Sequence, residues 1–148
     1  MPPAADVLCD ASVALKWFHS EGEEEVDASR ALLDLHRSHG MALSVLDLTA
    51  YEVGNALLRG VGVGAEKVSA VLDALDVICP RLALTPTELS DAALLAEGHR
   101  LTMYDAAYAA AAKARHAELA TLDRALLQAG LGRRPSEILA GRAQRPDK

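Results

Sequence analysis

Short apolar runs alternate with helical segments along most of this 148-residue chain, and this alternation limits the folds that it can adopt. Four of the runs predict buried strands, at residues 6–10, 41–46, 81–84 and 118–121. The segments between them carry apolar side chains at helical spacing, at residues 11–18, 21–39, 47–60, 65–78, 86–98, 104–115 and 123–129. Strands separated by helices are typical of an α/β domain. The sequence therefore predicts a layered domain with a short, mostly parallel central sheet flanked by helices.

The length of the chain fits a single domain over residues 1–148. We expect a core at about residues 6–130, followed by a basic C-terminal tail at residues 131–148 that is partly mobile. The two cysteines, Cys9 and Cys79, predict free thiols in a reducing compartment. The N-terminus lacks the pattern of a signal peptide, and no uncharged apolar run approaches the roughly 18 residues of a membrane span. We therefore expect a cytoplasmic protein with no membrane segment.

The net charge of −6 argues against a protein that coats nucleic acid through a broad basic surface. It leaves room for an enzyme that acts on nucleic acid, because a bound metal ion can supply positive charge.

Four acidic residues stand out by their position among the 21 in the chain. Asp10 ends the first predicted strand, and Glu52 lies inside an apolar helix. Asp105 and Asp123 lie in the first turns of two later helices. Because the carboxyl ends of parallel strands share one edge of a sheet, the three aspartates at strand-to-helix junctions are expected to converge there.

Each of these acids also has a purely structural interpretation. Asp105 and Asp123 fit helix caps, which is the commoner role for an acid at that position. Glu52 fits an ion pair with an arginine as well as it fits a metal ligand. Asp10 is the hardest to explain structurally, because an acid that ends a buried strand carries a cost of desolvation.

Converging carboxylates repel one another, and a divalent cation relieves that repulsion. Oxygen ligands without cysteine or paired histidine favour a hard ion, Mg²⁺ or Mn²⁺. Such a site suits phosphodiester hydrolysis, in which the ion activates water and stabilises the leaving oxygen.

Four segments in order resemble the PIN-domain ribonucleases, and within them the VapC-type toxins of bacterial toxin–antitoxin pairs. They are VLCDASVALKWF at 7–18, YEVGNAL at 51–57, LTMYDAAYAAA at 101–111 and LATLDRAL at 119–126. The resemblance covers residues 6 to about 127 and implies a three-layer PIN-like fold. After Gly130 the chain departs from the family pattern, because arginines and Pro135 stand where a last short strand is expected.

The resemblance implies a role for each matched side chain. Asp10, Glu52, Asp105 and Asp123 would form an acidic pocket for Mg²⁺ or Mn²⁺. Asp10 and Asp105 would be direct ligands, Asp123 would bind directly or through water, and Glu52 would bind the ion or hold water.

Three further side chains would orient the carboxylates, namely Ser12, Asn55 and Thr121. Ser12 fits equally well as a cap of its own turn, and Asn55 fits equally well as a partner of nearby backbone.

The resemblance implies an Mg²⁺-dependent endoribonuclease toxin that cleaves RNA and is blocked by a cognate antitoxin protein. It also implies a homodimer and leaves room for a larger toxin–antitoxin assembly. Two alternatives are an inactive PIN-like interaction module, which would be expected to lose acids, and a metal-dependent phosphatase. A haloacid-type phosphatase needs D-x-D, whereas this chain has Asp10-Ala11-Ser12.

Overall fold

The computed structural model describes residues 5–20 and 24–143, and a four-stranded parallel sheet forms its centre. The strands are β1 (Ala5–Cys9), β2 (Met41–Leu46), β3 (Arg81–Leu82) and β4 (Glu118–Ala120). Their order across the sheet is β3-β2-β1-β4, so β1 is an inner strand. The predicted parallel sheet is confirmed, and all four predicted strands are present. β3 is shorter than predicted and has only two residues.

Eight α-helices connect and cover these strands within the described residues. They are α1 (Ala11–Lys16), α2 (Val26–Arg37), α3 (Asp47–Asn55), α4 (Ala65–Ile78), α5 (Pro86–His99), α6 (Met103–Ala114), α7 (Arg124–Gln128) and α8 (Pro135–Ala143). A π-helical segment, Ala56–Val61, continues α3 to the turn before α4. Part of the predicted helix 21–39 lies outside the described residues, at 21–23, and the described helix begins at Val26.

The side chains of β1 divide the core into two layers, because successive residues of a strand point to opposite faces of the sheet. Val7 and Cys9 pack on one face with apolar residues of α1, α2, α3, α4 and α8. Leu8 packs on the other face with residues of α5, α6 and α7. Helices on both faces of a parallel sheet make the three-layer architecture that the sequence predicts.

The alanine-rich α6 lies deep in the second layer. Residues 106–112 are all buried, and six of these seven are alanine. Small side chains allow a helix to approach α5 on one side and the sheet on the other, with Tyr108 as the one large exception. Burial on all sides therefore explains the composition of this segment.

The C-terminal tail contains a helix that the sequence analysis does not predict. Helix α8 packs against α2, and the carboxylate of Glu25 accepts hydrogen bonds from the hydroxyl and the N–H of Ser136, at 2.6 and 3.4 Å. The family's last short strand is reduced to one parallel bridge between Arg133 and Ala120. Residues 135–143 of the tail are therefore a packed helix, residues 144–148 lie outside the described part of the chain, and the mobility of the tail stays a prediction.

Across residues 5–20 and 24–143, no helix combines the length and the apolar character needed to cross a membrane.

The start of α5 offers a test of the packing between α5 and α6. Glu88 is buried, accepts the N–H of Thr85 at 2.9 Å and pairs with the guanidinium of Arg115 from the end of α6. We expect Glu88→Ala to lower the free energy of unfolding by about 1–3 kcal/mol, because it removes the acceptor of the Thr85 N–H and leaves the half-buried Arg115 guanidinium without its anionic partner. Urea unfolding checks this, with the exposed Glu97→Ala on the same helix as the control. Equal effects of the two substitutions would contradict the assignment.

Candidate active site

Asp10 lies immediately after β1 and caps α1, and its side chain is 4% exposed. Its Oδ1 accepts the N–H groups of Ser12 and Val13, at 3.0 and 3.3 Å. An apolar strand followed by an N-cap residue therefore places a carboxylate at the carboxyl edge of the sheet, on an inner strand.

Two hydroxyl groups fix the Asp10 carboxylate from two sides. Ser12 donates to Oδ1 and Thr121, which follows β4, donates to Oδ2. Each hydroxyl also accepts a backbone N–H from the β4–α7 turn, Ser12 from Leu122 at 2.9 Å and Thr121 from Asp123 at 2.9 Å. These bonds tie the end of β1 to the end of β4, next to Asp123. Both hydroxyls therefore contact the carboxylate that they were predicted to orient.

Glu52 points from α3 toward α6 and is held by a chain of hydrogen bonds. The hydroxyl of Tyr108 donates to Glu52 Oε1 at 2.7 Å, and it lies 2.6 Å from Thr49 Oγ1. Thr49 in turn accepts the N–H of Leu46 at 3.1 Å. Because a carboxylate only accepts, the direction of donation is fixed along the series. Leu46 donates to Thr49, Thr49 donates to Tyr108, and Tyr108 donates to Glu52. Tyr108 and Thr49 are both fully buried, so this orientation is fixed by packing as well as by hydrogen bonds.

Asp105 and Asp123 are half-buried at the starts of α6 and α7. Asp123 caps α7, because its Oδ1 accepts the N–H of Leu126 at 3.1 Å. In α6 the capping role belongs to Thr102, which accepts the N–H of Asp105 at 3.1 Å. The structural interpretation therefore holds for Asp123, whereas Asp105 is not the N-cap of its helix.

The charges of the four carboxylates act on one another. Burial raises the pKa of Asp10 to about 6, against the hydrogen bonds from Ser12, Thr121 and Val13, and the charge of Glu52 adds to the rise. Burial also raises the pKa of Glu52, with contributions from the charges of Asp105 and Asp123. The pKa of Asp105 is raised by burial and then by the charge of Asp123. Mutual repulsion thus links all four acids that the sequence analysis selects.

Asn55 does not join the other candidate residues. It is exposed at the end of α3, and within the described chain it makes no hydrogen bond to Asp10 or Glu52. Its spacing of three residues from Glu52 predicts a position on the same side of the helix. The structure instead uses Tyr108 to hold Glu52, a residue 56 positions away along the chain.

Thr121 is also supported from behind by the C-terminal segment. Its N–H donates to the carbonyl of Arg133 at 3.0 Å, and the N–H of Arg133 donates to the carbonyl of Leu119 at 2.9 Å. Gly132 lies so close that a Cβ there would come within 2.5 Å of Thr121 Cγ2. Glycine at position 132 is therefore required for this approach.

The family model of the PIN domain matches residues 7–131 of the chain. The chain belongs to the PIN-domain family. It is similar to "Ribonuclease VapC3" of Pyrobaculum aerophilum, with 35% identity over 127 residues that cover 82% of this chain and 92% of the relative. Its fold is similar to the crystal structure of PAE2754 from Pyrobaculum aerophilum, with a TM-score of 0.66 and 26% identity over 95% of this chain and 97% of that one. The prediction of a VapC-type PIN domain is confirmed.

The donor set of this PIN domain fits a hard divalent cation, because it consists of carboxylates that repel one another at one edge of the sheet. In residues 5–20 and 24–143, however, no three acidic, histidine or cysteine side chains stand close enough to surround one ion as they are placed. The acids therefore form an open cluster rather than a closed cage.

The raised pKa of Asp10 predicts how the stability of the PIN domain depends on pH. Between about pH 4 and pH 6 the folded chain keeps a proton on Asp10 that the unfolded chain releases, so stability falls as pH rises through this window. We expect Asp10→Asn to remove this loss and to raise the free energy of unfolding by up to about 3 kcal/mol at about pH 8, with little gain at about pH 4.

Urea unfolding across this pH range measures the effect, with the exposed Asp73→Asn on α4 as the control. A gain of the same size at both ends of the range would show that the charge on Asp10 is not the cause.

Removing the hydroxyl of Tyr108 tests the series of hydrogen bonds that holds Glu52. We expect Tyr108→Phe to cost about 1–2 kcal/mol of stability, because the buried Thr49 hydroxyl loses its partner. Glu52 loses its donor and its single side-chain orientation, which three-bond NMR couplings measure. The control is Tyr51→Phe, whose hydroxyl belongs to a side chain that is 78% exposed. Unchanged Glu52 couplings in Tyr108→Phe would contradict the positioning role.

Proposed function

We propose that this PIN domain is a divalent-metal-dependent endoribonuclease that acts as the toxin of a toxin–antitoxin pair. The observation that carries the proposal is the repulsion between the charges of four acids, Asp10, Glu52, Asp105 and Asp123. The similarity to a VapC ribonuclease supports RNA as the substrate.

The repulsion between the acids supports the need for a cation. Desolvation and like charges raise the pKa of three of the four carboxylates, so ionising all of them together is costly without a counter-ion. The same counter-ion allows a chain of net charge −6 to hold a polyanionic substrate. We propose Mg²⁺, with Mn²⁺ able to replace it.

Asp10, Asp105, Asp123 and Glu52 would hold this ion. When bound, a divalent cation lowers the pKa of water and stabilises the charge that develops on a phosphodiester. Asp10 contributes a fixed carboxylate, because Ser12 and Thr121 hold both of its oxygens. Asp105 and Asp123 are half-buried and face solvent at the same edge, where a substrate phosphate can approach. Oε1 of Glu52 accepts the hydroxyl of Tyr108. The second carboxylate oxygen, Oε2, would accept a proton from water or bind the ion.

The proposal extends to a cognate antitoxin that blocks the site, to a homodimer that can join a larger toxin–antitoxin assembly, and to a location in the cytoplasm. The similarity to VapC supports these statements. The presence of all four acids weighs against an inactive interaction module.

Cleavage of cellular RNA tests the proposal. We expect the purified full chain to cleave RNA with Mg²⁺ or Mn²⁺ and to lose this activity in EDTA. Asp10→Asn and Asp105→Asn are each expected to lower the rate by at least about 100-fold, because an uncharged amide is a poor ligand for a hard cation. Asp73→Asn, which changes an exposed acid on α4, is the matched control.

Folding must be monitored alongside, and circular dichroism of each variant serves this purpose. Full activity in EDTA, or an Asp105→Asn variant that is folded and as fast as the parent, would contradict the metal site. A folded parent chain that cleaves no cellular RNA with either ion would contradict the nuclease proposal itself.

A further inference from the structure

The imidazole of His36 lies between two backbone groups that belong to different elements. His36 is half-buried in the last turn of α2. Its Nδ1 lies 3.0 Å from the backbone nitrogen of Leu43 in β2. Its Nε2 lies 2.9 Å from the carbonyl oxygen of Ile78, the last residue of α4. One side chain, which we call the imidazole bridge together with these two contacts, therefore connects α2, β2 and α4.

The imidazole bridge takes the place of a hydrogen bond in the parallel sheet. The pairing of β2 with β3 begins at Val45, whose N–H donates to the carbonyl of Pro80 at 3.0 Å. Hydrogen bonds in a parallel pair are evenly spaced, so two residues earlier on each side the N–H of Leu43 would meet the carbonyl of Ile78. Ile78 is still helical, however, and the ring of His36 stands between these two groups.

These two contacts require one protonation state of the ring. A carbonyl only accepts, so Nε2 of His36 carries the proton that it donates to Ile78. A backbone N–H only donates, so Nδ1 is unprotonated and accepts from Leu43. An imidazolium has two donors and no acceptor. A second proton on the ring would therefore set two N–H groups against each other beside Leu43, which is buried, and would leave the bond to Ile78 in place.

The other charged groups around the bridge leave it to the two backbone partners. β2 itself carries no charged side chain. The titratable and charged side chains on the neighbouring segments are Asp34, Arg37 and His39 on and just after α2, Asp76, Cys79 and Arg81 around the α4–β3 turn, and Arg142 beside Gly40. Asp76 and Arg81 pair at 3.2 Å, and burial raises the pKa of Cys79 to about 11. His39 is the one other histidine in this set, so it is the control that a titration in acid needs.

We propose that His36 is a pH-sensitive switch between β2 and the end of α4. The neutral ring holds both partners. When Nδ1 takes up a proton, the N–H of Leu43 loses its acceptor and β2 is released from the ring, which stays bonded to Ile78. The inference goes beyond the proposed function and does not depend on it, because His36 contacts the first half of β2 rather than the carboxyl edge of the sheet.

A scalar coupling across the N–H···N hydrogen bond tests the switch directly in the parent chain. We expect a coupling between the amide nitrogen of Leu43 and Nδ1 of His36 in the ¹⁵N-labelled protein at about pH 7.5. We expect it to be lost at about pH 5, below the ordinary titration range of histidine. The shifts of the ring nitrogens report the protonation of His36 in the same samples. No coupling at the higher pH, or a coupling that persists at the lower pH, would overturn the switch.

Hydrogen exchange adds a measurement with an internal control. Between about pH 7.5 and about pH 5 we expect the protection factor of the Leu43 amide to fall about 10-fold, the effect of one lost hydrogen bond. The amide of Val45 donates to a carbonyl instead and is expected to keep or gain protection. Protonation of Asp10 stabilises the fold as pH falls, so Asp10 cannot be the cause of a loss at Leu43.

Two variants separate His36 from the neighbouring histidine. His36→Gln replaces the ring with an amide that does not titrate, so the protection of Leu43 should no longer fall in acid. His39→Asn changes an exposed residue whose φ of 64° asparagine tolerates, and it is expected to keep the loss seen in the parent. Equal losses at Leu43 and Val45 in the parent, or a His39→Asn variant in which the loss at Leu43 disappears, would overturn the switch. If His36→Gln does not fold, the scalar coupling in the parent still decides.

Discussion

The structure depends on one carboxylate that is placed out of water at the end of an inner strand. Asp10 is 4% exposed, and its ionised form is tolerated only because donors from two separated parts of the chain surround it. The same donors, Ser12 and Thr121, accept backbone N–H groups from the turn after β4. The bonds that make the site are thus also the bonds that join β1 to β4 across the carboxyl edge of the sheet.

A second network supports the other side of the cluster. Tyr108 brings α6 to α3 through Glu52, and Asp105 lies one turn earlier on the same helix. Within residues 5–20 and 24–143 the two networks have no hydrogen bond in common, and they are linked by repulsion between their carboxylates. Burial and repulsion of the carboxylates therefore lower the stability of the fold at neutral pH, and they concentrate negative charge at one site. Such a compromise between stability and site chemistry is common at functional sites.

Much of this arrangement could be predicted from the sequence, because local signals coincide with it. The strand before Asp10, the cap before α5 and the alanine-rich α6 are all visible as short-range patterns. Arginines and Pro135 indicate an irregular tail, whereas helix α8 forms there because it packs against α2, which lies far away in sequence. Helical spacing brings Asn55 near Glu52 on α3, but it does not specify whether the side chain meets the cluster or solvent. No local pattern identifies Tyr108 as the partner of Glu52, because the contact joins residues far apart in sequence.

The backing of Thr121 by residues 131–133 has a consequence for how the protein is made. Because synthesis proceeds from the N-terminal to the C-terminal side, β1 and β4 are made before Gly132 and Arg133. Until those residues emerge, the backbone bonds from Arg133 to Thr121 and Leu119 are missing, and Thr121 lacks the support that aligns it with Asp10. A nascent chain on the ribosome therefore carries every acidic residue of the cluster before it can form the backbone bonds that support Thr121.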